Sequence, residues 1–368
     1  MIYEYTIIQK YISDTNMQTQ CGKYFSLSEA GQEWKIIKST PEYDKYIIYK
    51  PQSRDILAIL YKGAISHELC QLAVNKYSKA GQVISTNRGN AAGSAHRNIK
   101  NGTSRYEKSA ESKSNIIGYI DSPNHKRPCR LTSFSRDYYD DYKEGLAFIK
   151  AIDKSFQNCL PNNHKNQLEM CNKNPAFQIE DTSFSTVTVN YNFQTALHKD
   201  SGDYKEGFGN LVVCQDGILG GEILFPQYKL AISIETGDFL AMDVHEWHCN
   251  NTITYLNPSA YRLAFVCYYR EKIQNCNEIN KNLLALTGNL SGKSWDTEII
   301  FKKIFEAINI NTLPNKILIQ PDKPWWTMSA GRFKLVYKFK RYVLYDLETN
   351  EIIHNLIPAF NYVNSMIN

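Results

Sequence analysis

The run STVTVNYNF, residues 185–193, alternates with period two: Val187, Val189 and Tyr191 fall on one face, Thr186, Thr188 and Asn190 on the other. That pattern reads as a β-strand. Short strand-like runs then recur at close spacing: NLVVCQ (210–215), GEILF (221–225), LAISI (230–234), DFLAMD (238–243) and RLAFVCYY (262–269). Turns such as QDGILGG and ETGD separate them. Many short strands joined by Gly-bearing turns predict a sandwich or barrel, of which the jelly roll is one form.

Upstream, KYIIYK (45–50) and DILAILY (55–61) are also strand-like. SHELCQLAVNKYSKA (66–80) predicts an amphipathic helix, with Leu69, Leu72, Ala73 and Tyr77 near helical spacing. A second helix is expected over 141–160, with Leu146, Ile149, Ile152 and Phe156 on one side. Residues 81–115, rich in Gly, Asn, Ser and Arg, read as a long irregular loop, and such loops are often functional. SLSEAGQEW holds a capped helix start, Ser26 followed three residues later by Glu29. Beyond Glu271, DTEIIFKKIFEAI (296–308) predicts a helix and GRFKLVYKFKRYVLYDLETNEIIHNL a small antiparallel meander. The expected organisation is an N-terminal extension (1–44), a mainly β core with flanking helices (45–275) and a small C-terminal α+β unit (276–368).

Composition adds a class. Apolar residues at 43% and charged residues at 21% describe a globular protein, with no apolar run near the ~18 to 20 residues a membrane span needs. The first residues, MIYEYTIIQKYISD, lack the basic and apolar regions of a secretory signal. Nine cysteines without a Cys-x-x-Cys give neither a disulfide framework nor a zinc site, which favours a reducing, intracellular setting. The net charge of +5 is unevenly spread: residues 88–136 hold ten Lys or Arg against three acids, and 323–341 hold six with no acid. Basic segments are the electrostatic footprint of a nucleic-acid binder, and equally of a solvated face. The pair Trp325 and Trp326 in the second segment is expected in a core or domain contact.

The chemistry lies in the strand-rich block. His198 and Asp200 close its first strand region, and residues two apart in an extended chain share a face. His245 and His248 follow in DVHEWHCNN; three apart, they face opposite sides, so one of them reaches the same point as the first pair. Asp243 with His245 forms a mirrored pair that competes for the role. Arg262 opens the last, otherwise apolar strand, where a charge needs a partner. Two histidines and a carboxylate form the triad used for non-haem Fe(II). A planar, always charged guanidinium suits bidentate capture of a carboxylate. Together they fit an oxygenase with 2-oxoglutarate and O2 as co-substrates, in which the keto acid chelates iron and Arg262 holds its far carboxylate.

The block TVTVNYNFQTALHKDSGD … GFGNLVV … GGEILFPQYKLAISIETGDFLAMDVHEWHCN … YRLAFVCYYRE resembles the TET/J-binding-protein (TET/JBP) family of Fe(II)- and 2-oxoglutarate-dependent nucleic-acid base dioxygenases. NRGNAAG, NIIGYID and RPCRLTSFSRD are similar to segments of its algal, fungal and viral branch. The likeness covers about residues 45–270. It implies a double-stranded β-helix (jelly-roll, cupin-like) core with His198, Asp200 and His248 as iron ligands and Arg262 on the 2-oxoglutarate 5-carboxylate. Tyr268 falls where the family stacks an aromatic on the base, and Asp203 where it contacts the flipped base. The implied reaction is oxidation of the 5-methyl group of 5-methylcytosine or thymine in DNA, by base flipping and iron-oxo hydrogen abstraction. The implied setting is cytoplasmic or nuclear, in a virus or protist.

Two positions depart from vertebrate members: Ala264 replaces a serine, and Asp203 replaces an asparagine. One branch of the family uses ascorbate, which stands as an alternative co-substrate. Arg88 and Arg130 are further candidates for the iron-bound carboxylate of the co-substrate. An ionised Asp203 would accept from the cytosine N4 amino group and repel the thymine O4, which favours 5-methylcytosine. Hydroxylation of a protein side chain or small molecule is the competing enzymatic reading, and a DNA-binding module with a degenerate barrel the non-enzymatic one.

Overall fold

The computed structural model describes residues 1–28, 33–93, 97–100, 103–106, 110–121, 129–276, 325–330, 333–338, 341–346 and 349–354, with the strands at 97–106 and beyond 325 described through their backbone. The chain divides into two units: residues 1–120 with 132–275, and residues 121–131 with 276–368.

The first unit is a double-stranded β-helix. Its larger sheet runs Ile2–Thr6, Lys45–Tyr49, Ile56–Tyr61, Phe239–Met242, Gly209–Asp216, Tyr261–Tyr268, Thr186–Tyr191, Ser112–Ile120, Ile84–Ser85. The smaller sheet runs Cys249–Asn250, Ile223–Phe225, Leu230–Ile232, Lys35–Ile37. From Thr186 the chain passes repeatedly from one sheet to the other, so strands neighbouring in space are distant in sequence. Apolar side chains of both sheets meet between them, among them Leu60, Leu211, Phe225, Leu230 and Leu240, each 2% exposed or less. Full burial of such a side chain contributes about 1.5–3 kcal/mol.

Strand parity decides what faces where. On Thr186–Tyr191, Val187 and Val189 lie buried on one side, while Thr188 and Asn190 line a cavity on the other. Helices cover the apolar side. His67–Gly81 starts at Ser66, whose hydroxyl accepts the Leu69 N–H, and it brings Tyr77 to 6.1 Å from the Phe265 ring. Leu146–Cys159 brings Phe148 to 4.9 Å from the same ring. The single helix expected over 141–160 is two, Tyr139–Glu144 and Leu146–Cys159, meeting at Gly145. A β-carbon at Gly145 would overlap the Tyr77 ring, so the break sits where the chain must pass closest to the neighbouring helix.

Residues 81–115 are more ordered than their composition predicts: they hold a hairpin, Arg97–Lys100 with Thr103–Tyr106, and the start of the Ser112–Ile120 strand. The first 44 residues place one strand in each sheet, Ile2–Thr6 parallel to Lys45–Tyr49 and Lys35–Ile37 parallel to Leu230–Ile232. Between those strands, Met17 and Phe25 pack with Leu197, Leu224 and Trp247 in a second buried cluster. Ser26 bonds Ser28 and opens no helix among the described residues; Glu29 lies outside them. The nearby helix is Asp14–Thr19, capped by Ser13.

The second unit holds a four-stranded antiparallel sheet, Trp325–Ala330, Phe333–Lys338, Arg341–Asp346 and Ile352–His354, which is the expected meander. The helix expected at 296–308 and the side chains of Trp325 and Trp326 lie outside the described residues. One disulfide, Cys129–Cys276, ties two parts of this unit together. The scattered spacings gave no sign of it, because bonding depends on proximity in space and these cysteines are 147 residues apart.

Candidate metal and co-substrate site

His198 and His248 are pinned to each other by backbone. Each N–H donates to the other's carbonyl, at 3.0 and 3.1 Å, and the two rings stand 4.4 Å apart. The Asp200 N–H is held by the Val244 carbonyl at 3.0 Å. Its carboxylate oxygens lie 3.7 Å from His198 Nε2 and 3.8 Å from His248 Nε2. One donor atom from each residue falls within 4.8 Å of the others. Ligands about 2.1 Å from a common ion stand roughly 3–4 Å apart, so the spacing fits one cation.

The tautomers also fit. His198 Nδ1 is 2.8 Å from the Ala196 carbonyl and His248 Nδ1 is 2.9 Å from the Glu246 carbonyl. A carbonyl only accepts, so each Nδ1 carries the proton and each Nε2 offers its lone pair. Burial, reinforced by the adjacent His198, holds the His248 imidazole neutral down to about pH 4. The competing pair is engaged elsewhere: Asp243 Oδ1 accepts from both the N–H and the Nδ1 of His245, at 3.0 and 3.1 Å. His248, not His245, therefore joins His198 and Asp200.

Arg262 opens Tyr261–Tyr268 on the cavity side, 3% exposed. Its backbone N–H donates to Asn192 Oδ1. Its guanidinium makes one long bond, Nη2 to the Gly221 carbonyl at 3.5 Å, and its Nε has no partner. Burial pushes its pKa down to about 10. A buried guanidinium with spare donors is costly unless an anion completes it. The far carboxylate of a keto acid is such an anion, and the apolar Leu211, Ile223, Met242 and Ala264 line the same cavity.

That cavity measures about 430 Å³, within the roughly 300–1,000 Å³ of small-molecule sites. Beyond Arg262, its last strand lines it at every second residue: Ala264, Val266, Tyr268 and then Arg270. Sequence reasoning missed Arg270, although the period-two rule counted on from Arg262 reaches it. Tyr268 is held by its hydroxyl against Thr188 Oγ1 at 3.2 Å. Arg88 lines the cavity too, half-buried, its pKa lowered by burial. Asp203 faces Arg270 across a β-bridge; withdrawal from water and the Asp200 charge push its carboxyl well above the usual range, against the pull of Arg270. Arg130 lies in Arg130–Leu131, in the second unit, and is not among the described residues lining the cavity.

The fold and these residues define a 2-oxoglutarate- and Fe(II)-type oxygenase architecture. Residues 114–271 match the Tet/JBP family, the oxygenase domain of the 2OGFeDO superfamily. The chain is 29% identical over 232 residues to the bifunctional helicase and thymine dioxygenase JBP2 of Trypanosoma cruzi, covering 62% of this chain and 20% of that protein. It is 33% identical over 160 residues to JBP2 of Leishmania major, covering 42% and 14%, and 30% identical over 172 residues to the thymine dioxygenase JBP1 of Trypanosoma brucei brucei, covering 45% and 20%. The chain thus spans a fifth or less of these relatives' length. Among solved structures, NgTET1 in complex with 5mC DNA aligns with a TM-score of 0.44 and 12% identity, over 71% of this chain and 91% of that one. No helix among the described residues is long and apolar enough to cross a membrane.

Proposed function

We propose that this chain binds Fe(II) through His198, Asp200 and His248, anchors 2-oxoglutarate on Arg262, and oxidises the methyl group of a 5-methylpyrimidine base extruded from DNA. The observation that carries the reading is the under-bonded, buried guanidinium of Arg262 at one end of the strand that ends in Tyr268 and Arg270. The iron and keto acid, when bound with O2, supply the oxidant for a C–H bond. Everything else falls to the chain. Arg262 orients the keto acid by its far carboxylate, which favours a dicarboxylate over ascorbate. Arg88, which lines the same cavity, is the cation proposed to meet the remaining carboxylate. Tyr268 offers an aromatic face to a base, and Asp203 with Arg270 offers acceptor and donor groups to its edge. A half-open cavity wall carrying Arg88, Lys199 and Arg270 suits a polyanionic strand.

The structure removes one premise of the sequence reading. Burial and the Asp200 charge push the Asp203 pKa up against the pull of Arg270, which favours the neutral carboxyl, and a neutral carboxyl can donate to thymine O4 where an ionised one accepts from cytosine N4. Asp203 and Arg270 together are then the groups that select the base, and the thymine dioxygenase names of the relatives are a reason to test thymine beside 5-methylcytosine. The test is anaerobic loading with Fe(II) and 2-oxoglutarate, then air, on duplexes containing thymine alone or thymine with 5-methylcytosine, with nucleosides read by mass spectrometry. A 5-hydroxymethyl pyrimidine that disappears in Asp200→Ala supports the proposal. Turnover of a peptide or free metabolite with DNA untouched refutes it.

A further inference from the structure

His248 reaches the cavity from a short connection, residues 243–248, that carries a cluster of charges not among the cavity's lining residues. Lys50, next after the Lys45–Tyr49 strand, donates to Asp243 Oδ2 at 2.6 Å and to Glu246 Oε1 at 2.9 Å. The three side chains are 14–19% exposed. Asp243 holds His245 aside through two bonds, and the second oxygen of Glu246 accepts from the Tyr228 hydroxyl at 3.0 Å. The Glu246 carbonyl in turn receives the Nδ1–H of His248.

We infer that Lys50 is a positioning residue for the metal centre: by clamping Asp243 and Glu246 together it fixes the carbonyl that orients His248. The inference rests on His198, Asp200 and His248 being metal ligands. Two carboxylates brought together on one short connection repel unless a cation lies between them. Lys50 is that cation, supplied from nearly two hundred residues away and from outside the segment that matches the family. Without it the carboxylates part, the Glu246 carbonyl turns, and the imidazole loses both its tautomer and its direction. Partners that orient a ligating histidine typically contribute ten- to a hundredfold in metal affinity.

The experiment titrates the metal-free protein of residues 1–368 with Co(II), without co-substrate or DNA, reading affinity by calorimetry and geometry by the visible absorption of the bound ion. Lys50→Met is expected to weaken binding about tenfold or more and to shift the absorption bands, with far-UV circular dichroism unchanged. Lys50→Arg, which keeps a charge and several donors, restores most of the affinity. Lys76→Met removes an ion pair of similar exposure with Asp141 on the helical side, and leaves affinity and spectrum alone. Wild-type affinity and spectrum in Lys50→Met overturn the inference, as does an equal loss in Lys76→Met. If Lys50→Met does not fold, Tyr228→Phe takes its place: a several-fold loss of affinity supports the clamp, and no change overturns it. Wild-type protein that binds no cobalt refutes the ligand assignment instead, so the two failures are distinct.

Discussion

Arg262 carries a charge where water scarcely reaches, and the chain gives it too few acceptors. In the absence of a ligand that is a cost, so Arg262→Met should raise the thermal midpoint of the metal-free protein while raising the KM for 2-oxoglutarate at least thirtyfold. Truncating one partner of a buried charged pair costs about 2–5 kcal/mol, which sets that scale. Differential scanning fluorimetry and steady-state kinetics read the two effects, and a variant that is both less stable and unimpaired would refute the anchor role. His248 makes a pH prediction. Its folded-state pKa of about 4 lies below the ordinary 6.5, because burial disfavours the charged ring. Below pH 6.5 the unfolded chain takes up a proton that the folded imidazole refuses. The metal-free protein should therefore lose stability steadily from pH 6.5 to about 4, with no contribution from this residue above that window. Urea titrations at pH 7, 5.5 and 4.5 check it, and the slope should flatten in His248→Gln.

The element that does most is Tyr261–Tyr268 with its extension to Arg270. One strand carries the proposed co-substrate anchor at its start and the proposed base-facing groups at its end, with Leu263, Phe265 and Cys267 buried between. Its periodicity made it legible in sequence, as were His198 and Asp200, since a shared face two residues apart is a local property. What escaped notice is non-local. Lys50 meets Asp243 only because the sheet order sets Ile56–Tyr61 beside Phe239–Met242, and no local pattern records that neighbour. The N-terminal strands were missed because they are short edge strands, paired in parallel with distant segments. They are structural nonetheless. Met17 is fully buried between that region and the smaller sheet, so Met17→Ala should destabilise the protein by about 2–5 kcal/mol in urea unfolding. A loss under 0.5 kcal/mol would show residues 10–27 to be a loosely attached arm.

At the scale of the whole molecule, a net charge of +5 is modest, and the cations that matter are those lining the cavity. If a DNA strand lies there, its affinity should fall steeply with salt, with a log–log slope near −0.9 for each phosphate neutralised. Removing Lys199 as Lys199→Met should reduce that slope by about one, measured by fluorescence anisotropy on a short duplex. In the proposed reaction the cavity couples decarboxylation of a keto acid to oxidation of a base methyl group. Its most direct measurement is turnover under 18O2, counting labelled oxygen in the nucleosides and succinate in the supernatant. Coupled turnover should leave one 18O atom in each newly formed hydroxymethyl pyrimidine, one succinate for each, and little succinate without DNA. Unlabelled DNA alongside succinate formed at the same rate with or without it would rule that coupling out.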